Sequence, residues 1–299
     1  MNIVLGTEQL GGIDWGNYKI SDVERGIRRA LDLGINRYDT AHIYGLGNSE
    51  VRLGKILGSK RYEVEITTKI GLYNIEKKIS GRYKIKKDLS FDKMLHQTEK
   101  SLKNINLDCI PILLAHWPDE LHSTEQVMEN LIKIKDKGLA KKIGLSNFSF
   151  KNIHKLHESL RPDVVQGSLN LLDLSSLEQY KNLINLGIDV YVYGVLAQGL
   201  LTGKYNLGEK FVDSDRRKRL KIFQNKDKEL REKLYKIKMF AVSKNISMSN
   251  LSITSINYLD KNLKPIIGIK NSYQVEQNFI NMKAKYSRNE LKNLILSLS

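Results

Sequence analysis

One unit recurs along this chain: a short β-branched run, a polar loop, an amphipathic helix that stops at glycine, and then the next run. Ser21 and Glu24 make a capping-box pattern before Val23, Ile27, Ala30 and Leu31, and Gly34 follows as the stop. Ser123 and Gln126 repeat it ahead of Val127, Leu131 and Ile134, with Gly138 as the stop. Ser175 and Glu178 open a third copy with Leu177, Tyr180 and Ile184, closed by Gly187. Strand-like runs come next, INRYD at 35–39, AKKIGLS at 140–146 and IDVYVY at 188–193. Strict alternation of strand and helix predicts a parallel sheet with helical crossovers.

Eight such runs can be counted, near residues 3–6, 35–39, 62–68, 109–115, 140–146, 163–167, 188–193 and 265–269. Eight units in 299 residues fit an α/β fold of the (β/α)8 TIM-barrel type better than an open doubly wound sheet. No G-x-G-x-x-G follows the first run, which weighs against a Rossmann domain. With only 4 prolines and no Pro- or Ser-rich linker, residues 1–299 are expected to form a single barrel domain. The longest irregular insertions follow the third run (about 70–90) and the seventh (about 199–225). Both are βα loops, so both belong to the barrel face that carries chemistry.

Composition narrows the function classes. Apolar residues are 41% of the chain and charged residues 27%, a balance that permits a large core and excludes wholesale disorder. No apolar stretch approaches the roughly 20 residues of a membrane span. The opening MNIVLGTEQLGG lacks the pattern of a signal peptide, so a cytoplasmic protein is expected. The lone Cys109 can form neither an internal disulfide nor a Cys-rich metal site. The net charge of +16 raises the question of nucleic acid, but it is concentrated. Residues 77–93 carry seven basic and two acidic side chains, and residues 216–238 carry eleven and three, so these two stretches hold thirteen of the sixteen excess charges. Neither is interleaved with the aromatics of a base-stacking surface, so no nucleic-acid partner is expected.

The residues that end the strands are the informative ones. Asp39 closes the second run, with Tyr44 five residues on, Lys69 closes the third and His116 the fourth. Each alone has a plain structural explanation, as a cap, a rim charge or a satisfied polar group. Together they bring a carboxylate, a phenol, an ammonium and an imidazole to one barrel mouth. Such a set suits proton delivery to a carbonyl oxygen as hydride reaches its carbon. Lys69 would make the phenol a readier acid, Asp39 would fix the ammonium and His116 would orient the carbonyl. No H-x-H, H-E-x-x-H or Cys pair offers a metal alternative, and His154 and His157 have no evident third ligand.

The run GINRYDTAHIYGLGNSEVRLGKILG at 34–58 resembles the signature of the aldo-keto reductase superfamily, D-T-A-x-x-Y-G followed by S-E-x-x-L-G. The resemblance continues through ITTKIG at 66–71, LLAHWPD at 113–119, KKIGLSNFS at 141–149 and VVQGSLN at 164–170. It extends through YGVLAQGLLTGKY at 193–205 and PIIGIKNSYQVEQN at 265–278, in the family's order across nearly the whole chain. It implies that Asp39, Tyr44, Lys69 and His116 are the catalytic tetrad, with Tyr44 as general acid. By the same match Ser146, Asn147 and Gln166 hold the nicotinamide carboxamide, and Tyr193 stacks on the nicotinamide ring. Gly6 and Thr7 line the cofactor ribose, with Asp39 also at the cofactor. Leu196, Gln198, Leu200 and Gly203 follow the pyrophosphate. Lys270, Asn271, Gln274, Gln277 and Asn278 clasp the adenosine and its 2′-phosphate.

Three departures from the family pattern stand out. The first barrel strand starts almost at Met1, so the N-terminal β-hairpin that usually plugs the barrel is expected to be missing. Val195 and Gln277 replace residues that are often proline and glutamate. Lys270 stands where arginine is common, keeping the charge but losing the bidentate fork for phosphate, so the match favours NADP(H) and leaves NAD(H) open. The expected activity is NADP(H)-dependent reduction of an aldehyde or ketone. If the basic loops rim the mouth, the small-molecule carbonyl substrate is anionic or sugar-derived. The alternative is a redox-sensing or scaffold subunit that binds the nicotinamide cofactor and turns over slowly. Trp117 lines the pocket or packs in the core, and the oligomeric state is not legible.

Overall fold

The computed structural model describes residues 3–77, 83–224, 227–280 and 284–298. Its strands are β1 (Val4–Gly6), β2 (Arg37–Asp39), β3 (Glu65–Ile70), β4 (Leu72–Lys77), β5 (Tyr83–Lys87), β6 (Ile110–Ala115), β7 (Ala140–Ser146), β8 (Val164–Ser168), β9 (Asp189–Tyr193) and β10 (Leu263–Gly268). Eight of them close a parallel barrel in the order β1-β10-β9-β8-β7-β6-β3-β2. These eight are the runs expected from the sequence, with ends shifted by no more than three residues. The fold is therefore the (β/α)8 barrel.

The helix signals held to different degrees. Ser123 caps the helix Thr124–Asp136 with both capping-box bonds present, at 3.2 and 2.8 Å. Ser21 instead lies inside the helix Ile20–Asp32, which starts after Lys19 with no side-chain cap. The helix Leu177–Asn185 is entered through Ser176, because the Ser175 hydroxyl donates to Asp173 Oδ1 at 2.6 Å and closes a local turn first. Gly34, Gly138 and Gly187 all have positive φ (79°, 76° and 80°), the left-handed stop that glycine allows.

The loop after β3 was expected to be irregular, yet β4 and β5 pair as an antiparallel hairpin standing on the mouth, with Leu72 opposite Lys87. Its connection, residues 78–82, lies outside the described residues and includes part of the first basic stretch.

Alternate residues of a strand share a face, and this builds the barrel interior in layers. Arg37, Glu65, Lys142, Asp189 and Lys264 form the floor. Above them Val4, Ile112, Leu114, Val164, Tyr191 and Ile266 make an apolar middle. Asp39, Lys69, Ser146, Gln166 and Tyr193 stand at the top. Among the described residues no strand precedes β1. The floor is tied by ion pairs: Arg37 Nε to Glu65 Oε1 at 3.3 Å, and Asp189 accepting from Lys142 at 2.8 Å and Lys264 at 2.5 Å. The Tyr191 hydroxyl donates to Glu65 at 2.6 Å and links floor to middle.

Outward faces of the strands pack on the helices through Leu5, Tyr38, Ile66, Leu113 and Leu145, all fully buried. A second apolar cluster, including Leu200, Phe223, Ile237, Leu251 and Leu294, anchors the loop after β9 to the C-terminal helices. That anchorage matters for the mouth, because this loop crosses it.

Candidate active site

The top of the barrel holds a buried polar cluster. Asp39 ends β2 and is 4% exposed, and Lys69 near the end of β3 is 1% exposed. The Lys69 ammonium donates to Asp39 Oδ1 at 2.7 Å and to the Thr40 carbonyl at 2.8 Å. Gln166 Nε2 donates to the other oxygen, Asp39 Oδ2, at 2.8 Å. The carboxylate is thus held from both sides and the buried charge is matched. Tyr44 lies above this pair, its ring centroid 5.1 Å from Lys69 Nζ and edge-on to the His116 ring at 5.8 Å.

Tyr44 is placed by the loop that carries it. Gly45 has a φ of 60°, and a Cβ there would sit 2.2 Å from the Gly11 carbonyl oxygen, so glycine is required where this loop meets the loop after β1. Ser49 donates to the Thr7 carbonyl at 2.8 Å, and the Thr7 hydroxyl donates to the Asp39 carbonyl at 2.9 Å. Glu50, fully buried, accepts from Thr68 at 2.6 Å and Asn104 at 2.9 Å, with His42 Nδ1 at 3.4 Å. Burial opposes its charge, but His42 and these hydrogen bonds hold its carboxyl below the ordinary value. The S-E pair of the signature therefore fastens the Tyr44 loop to the barrel.

Protonation at the mouth differs from the expectation in one respect. Lys69 was expected to make Tyr44 a readier acid. Instead burial pushes the phenol well above its usual value, the Glu8 and Asp39 carboxylates push the same way, and Arg216 opposes them. The physical reason is that Lys69 is already paired with Asp39, so the two act on Tyr44 as a dipole and not as a free cation. His116 is held well below the usual imidazole value, first by burial and then by the charge of Lys69. At neutral pH the site thus presents a protonated phenol and a neutral imidazole.

A cavity of about 1030 Å³ opens over this cluster. Gly6, Thr7, Asp39, Tyr44 and His116 line it from the first strands, with Ser146, Asn147, Gln166 and Tyr193 from β7, β8 and β9. The Tyr193 hydroxyl donates to Asn147 Oδ1 at 2.5 Å, and Asn147 Nδ2 donates to the His116 carbonyl at 3.0 Å. Leu196, Gln198, Lys270, Gln274, Gln277 and Asn278 line its far side. Four expected residues do not line it. Lys69 lies beneath the floor of the cavity, and Asn271 caps the short helix Ser272–Val275 by accepting from Gln274 N at 2.9 Å. Leu200 and Gly203 border a separate cavity of about 340 Å³, with Leu200 packed in the second apolar cluster. Trp117 lines the main cavity and is 40% exposed, with Lys87 Nζ 5.6 Å from its ring.

Several buried polar atoms on this cavity have no protein partner: Gln9 Oε1, Trp15 Nε1, His116 Nδ1 and Arg216 Nε. Unmet polar atoms of this kind call for a ligand or water. The Trp15 donor and the Lys270 ammonium suit phosphate oxygens, while the amides of Asn147 and Gln166 suit a carboxamide. Burial and then Arg217 lower Lys270 to about 8, and an anion placed beside it would favour its charged form. The residues present therefore fit a nicotinamide dinucleotide.

The comparisons with known proteins agree. A sequence model described as the Aldo/keto reductase family matches residues 2–295. This chain belongs to the Aldo/keto reductase family. The chain is 32% identical over 225 residues to the aldo-keto reductase YhdN of Bacillus subtilis, covering 74% of this chain and 66% of that protein. It is 30% identical over 195 residues to the methylglyoxal reductase DkgB of Salmonella typhimurium, covering 62% of this chain and 66% of that one. The matches thus span just under two thirds of these curated relatives' own length. The structure of the glycerol dehydrogenase AKR11B4 from Gluconobacter oxydans superposes with a TM-score of 0.85 at 27% identity, covering 99% of this chain and 91% of that one. These relatives are reductases and a dehydrogenase, and the family generally uses nicotinamide cofactors. Among the chain's described residues no helix is long and apolar enough to cross a membrane.

Two residues at this aldo/keto reductase site escaped the sequence analysis. Glu8 lines the cavity directly after Thr7, and Arg216 reaches across from the loop after β9 to pair with it. Glu8 carried only a weak signal, standing two residues past the end of β1. Arg216 carried none, because nothing in the basic run RRKR separates one arginine from its neighbours.

Proposed function

We propose that the protein reduces an aldehyde or ketone to the alcohol with NADP(H), and that Tyr44 delivers the proton. The observation that carries this reading is the stacked order at the mouth, a buried Lys69–Asp39 pair beneath a protonated Tyr44 that meets a neutral His116 edge-on. The dihydronicotinamide, when bound, supplies the hydride. The carbonyl oxygen is held between the Tyr44 hydroxyl and the His116 ring, where the neutral imidazole can donate a hydrogen bond. As negative charge grows on that oxygen, Tyr44 gives up its proton, and the Lys69 side of the buried pair stabilises the phenolate left behind. Asn147, Gln166 and Ser146 are proposed to hold the carboxamide, Tyr193 to face the ring, and Lys270 with Gln274, Gln277 and Asn278 to hold the adenosine end.

NADP(H) is proposed over NAD(H) because Lys270 places a cation at that end. For the substrate, the expectation of an anion rested on the two basic stretches. In the fold the cations of the second stretch nearest the mouth are matched: Arg216 by Glu8, Arg217 by Asp215, Lys218 by Asp213 and Arg219 by Asp14. A hydroxylated, sugar-like carbonyl compound is the better supported of the two.

The test is NADPH oxidation with a panel of reactive aldehydes, comparing wild type with Tyr44→Phe. Loss of about 10²–10⁴ in kcat with NADPH affinity retained is the expected outcome. Undiminished turnover in the variant would overturn the assignment of Tyr44. Tight NADPH binding with no turnover by wild type would favour the cofactor-binding subunit instead.

A further inference from the structure

The Glu8–Arg216 pair lines the same cavity as Tyr44 and His116 and takes no part in the proton transfer just described. Glu8 sits on the turn after β1, next to Thr7, and its side chain is 28% exposed. Its Oε1 accepts from Arg216 Nη1, while Arg216 Nη2 donates to Gln198 Oε1 at 3.1 Å. The guanidinium also lies 4.3 Å over the Trp15 ring, and its Nε is buried without a partner. The backbone fixes the segments that carry Arg216 and Trp15: Arg216 N donates to the Asp14 carbonyl at 3.0 Å, and Gly16 N donates to the Ser214 carbonyl at 3.3 Å. Arg216 is therefore held over the mouth whether or not Glu8 is charged.

This arrangement has a consequence for charge selection. The polar groups nearest the reacting centre form two neutral pairs, Asp39 with Lys69 and Glu8 with Arg216. Glu8 and Arg216 line the same cavity as Tyr44 and His116, and both of their charges act on the Tyr44 phenol, so the carboxylate stands in the space where a carbonyl compound must bind. An anionic substrate group arriving there meets a carboxylate in a poorly solvated pocket. To reach Arg216 it would have to displace Glu8 and leave that charge partly buried and unmatched. A neutral substrate pays neither cost, and its hydroxyls can donate to the lone pairs Arg216 leaves free on Glu8.

We propose that Glu8 is a specificity-determining residue that excludes anionic carbonyl compounds from this site by occupying Arg216, so that its removal turns Arg216 into an anion anchor. The inference deepens the reductase reading and rests on it for the identity of the ligand as a carbonyl compound. It is a case of selectivity built from a repulsive element.

The experiment uses the full chain as wild type, Glu8→Gln, Arg216→Gln and the double variant. Turnover of butanal is compared with that of succinic semialdehyde, which carries a carboxylate. Separately, ligand-observed NMR titrates butyrate against butyramide with the protein. Only ratios within one variant are read, so a loss of folded protein cancels. Wild type should favour butanal, Glu8→Gln should shift the ratio toward the anion by roughly tenfold, and Arg216→Gln should shift it away. The double variant should lie between the two, near no preference. The affinity of butyrate relative to butyramide should rise in Glu8→Gln alone.

Equal effects of Glu8→Gln on both substrates, or on both NMR ligands, would overturn the proposal and reduce the pair to a structural latch. If no variant turned over either aldehyde, the reductase reading would fall. The butyrate ratio would then still decide for or against Glu8.

Discussion

The two ends of this barrel are made by the same strands and carry the same residue types, yet they are organised differently. At the floor, Glu65 accepts from Tyr191 and Arg37, and Asp189 accepts from Lys142 and Lys264. At the mouth, Asp39 and Lys69 are matched just as fully, but above them Gln9, Trp15, His116 and Arg216 each keep a buried polar atom with no partner. A closed polar network contributes rigidity. An open one contributes a place for something else to bind. The contrast also has depth: floor pairs are about one-third exposed at the carboxylates, whereas Lys69 and Asp39 are 1% and 5% exposed at the side chain.

The largest break in this comparison should come from the buried mouth pair. Lys69→Met leaves the Asp39 carboxylate without its cation and with only Gln166 and local donors. A loss of about 3–5 kcal/mol in unfolding free energy is expected, measured by urea denaturation. Activity should fall with it, since the phenolate formed at Tyr44 loses its nearby ammonium. A change under 1 kcal/mol would mean that the pair is not shielded as the geometry indicates.

Glu50→Gln should come next. It keeps the shape but weakens the bonds from Thr68, Asn104 and His42 that fasten the Tyr44 loop. About 1–3 kcal/mol is expected from charged hydrogen bonds of this kind. The kinetic signature should be a fall in kcat for aldehyde reduction larger than any change in NADPH affinity, because the acid is displaced and the cofactor contacts are not. An equal fall in both would place Glu50 in general stability alone.

A third test concerns pH at the mouth. Tyr44 is pushed above and His116 below its usual value, so neither should titrate near neutrality. The reduction rate at saturating substrate is expected to stay level between about pH 6.5 and 9, within the range set by the ordinary values of the two groups. Alcohol oxidation, which needs Tyr44 to accept a proton, should instead climb as the pH rises. A reduction rate that halved between those limits would show that one of these groups titrates there.

Much of this was legible in the sequence, and the reasons for the rest are physical. The eight strands were legible because β-branched runs and glycine stops at Gly34, Gly138 and Gly187 mark a period that only one architecture satisfies. Asp39, Tyr44, Lys69 and His116 were legible because strand ends of a barrel converge. The β4–β5 hairpin was hidden because its alternation, as in Tyr83-Lys84-Ile85-Lys86, is also a basic stretch that reads as a solvated loop. The pairing of Arg216 with Glu8 and of Arg219 with Asp14 was hidden for a different reason. Ion pairs between loops depend on where the loops cross, and local sequence carries no record of that. The same limit explains why Lys69 was expected to lower the Tyr44 pKa: the net effect depends on burial of the phenol first and then on the charge of Glu8, and both are set by how the loops fold over the mouth.

The smallest effect should come from the floor, and it completes the contrast. Asp189→Asn removes two pairs whose carboxylate is one-third exposed. Pairs so placed contribute about 0.2–1 kcal/mol each, and salt screens them. Burial alone would raise Asp189, but Lys142 and Lys264 outweigh it and hold the carboxyl below its ordinary value. A group whose folded value is depressed contributes stability that is fully present above its unfolded value of about 3.9 and is lost as the pH falls through the folded one. The difference between wild type and Asp189→Asn should therefore be constant at neutral pH, shrink below about pH 4 and weaken in high salt. Activity per folded molecule should not change, since the apolar layer of Ile112, Leu114, Val164 and Ile266 separates Asp189 from the mouth. A shift in kcat would show that this layer transmits changes from the floor to the site, and the division between the two ends would no longer hold.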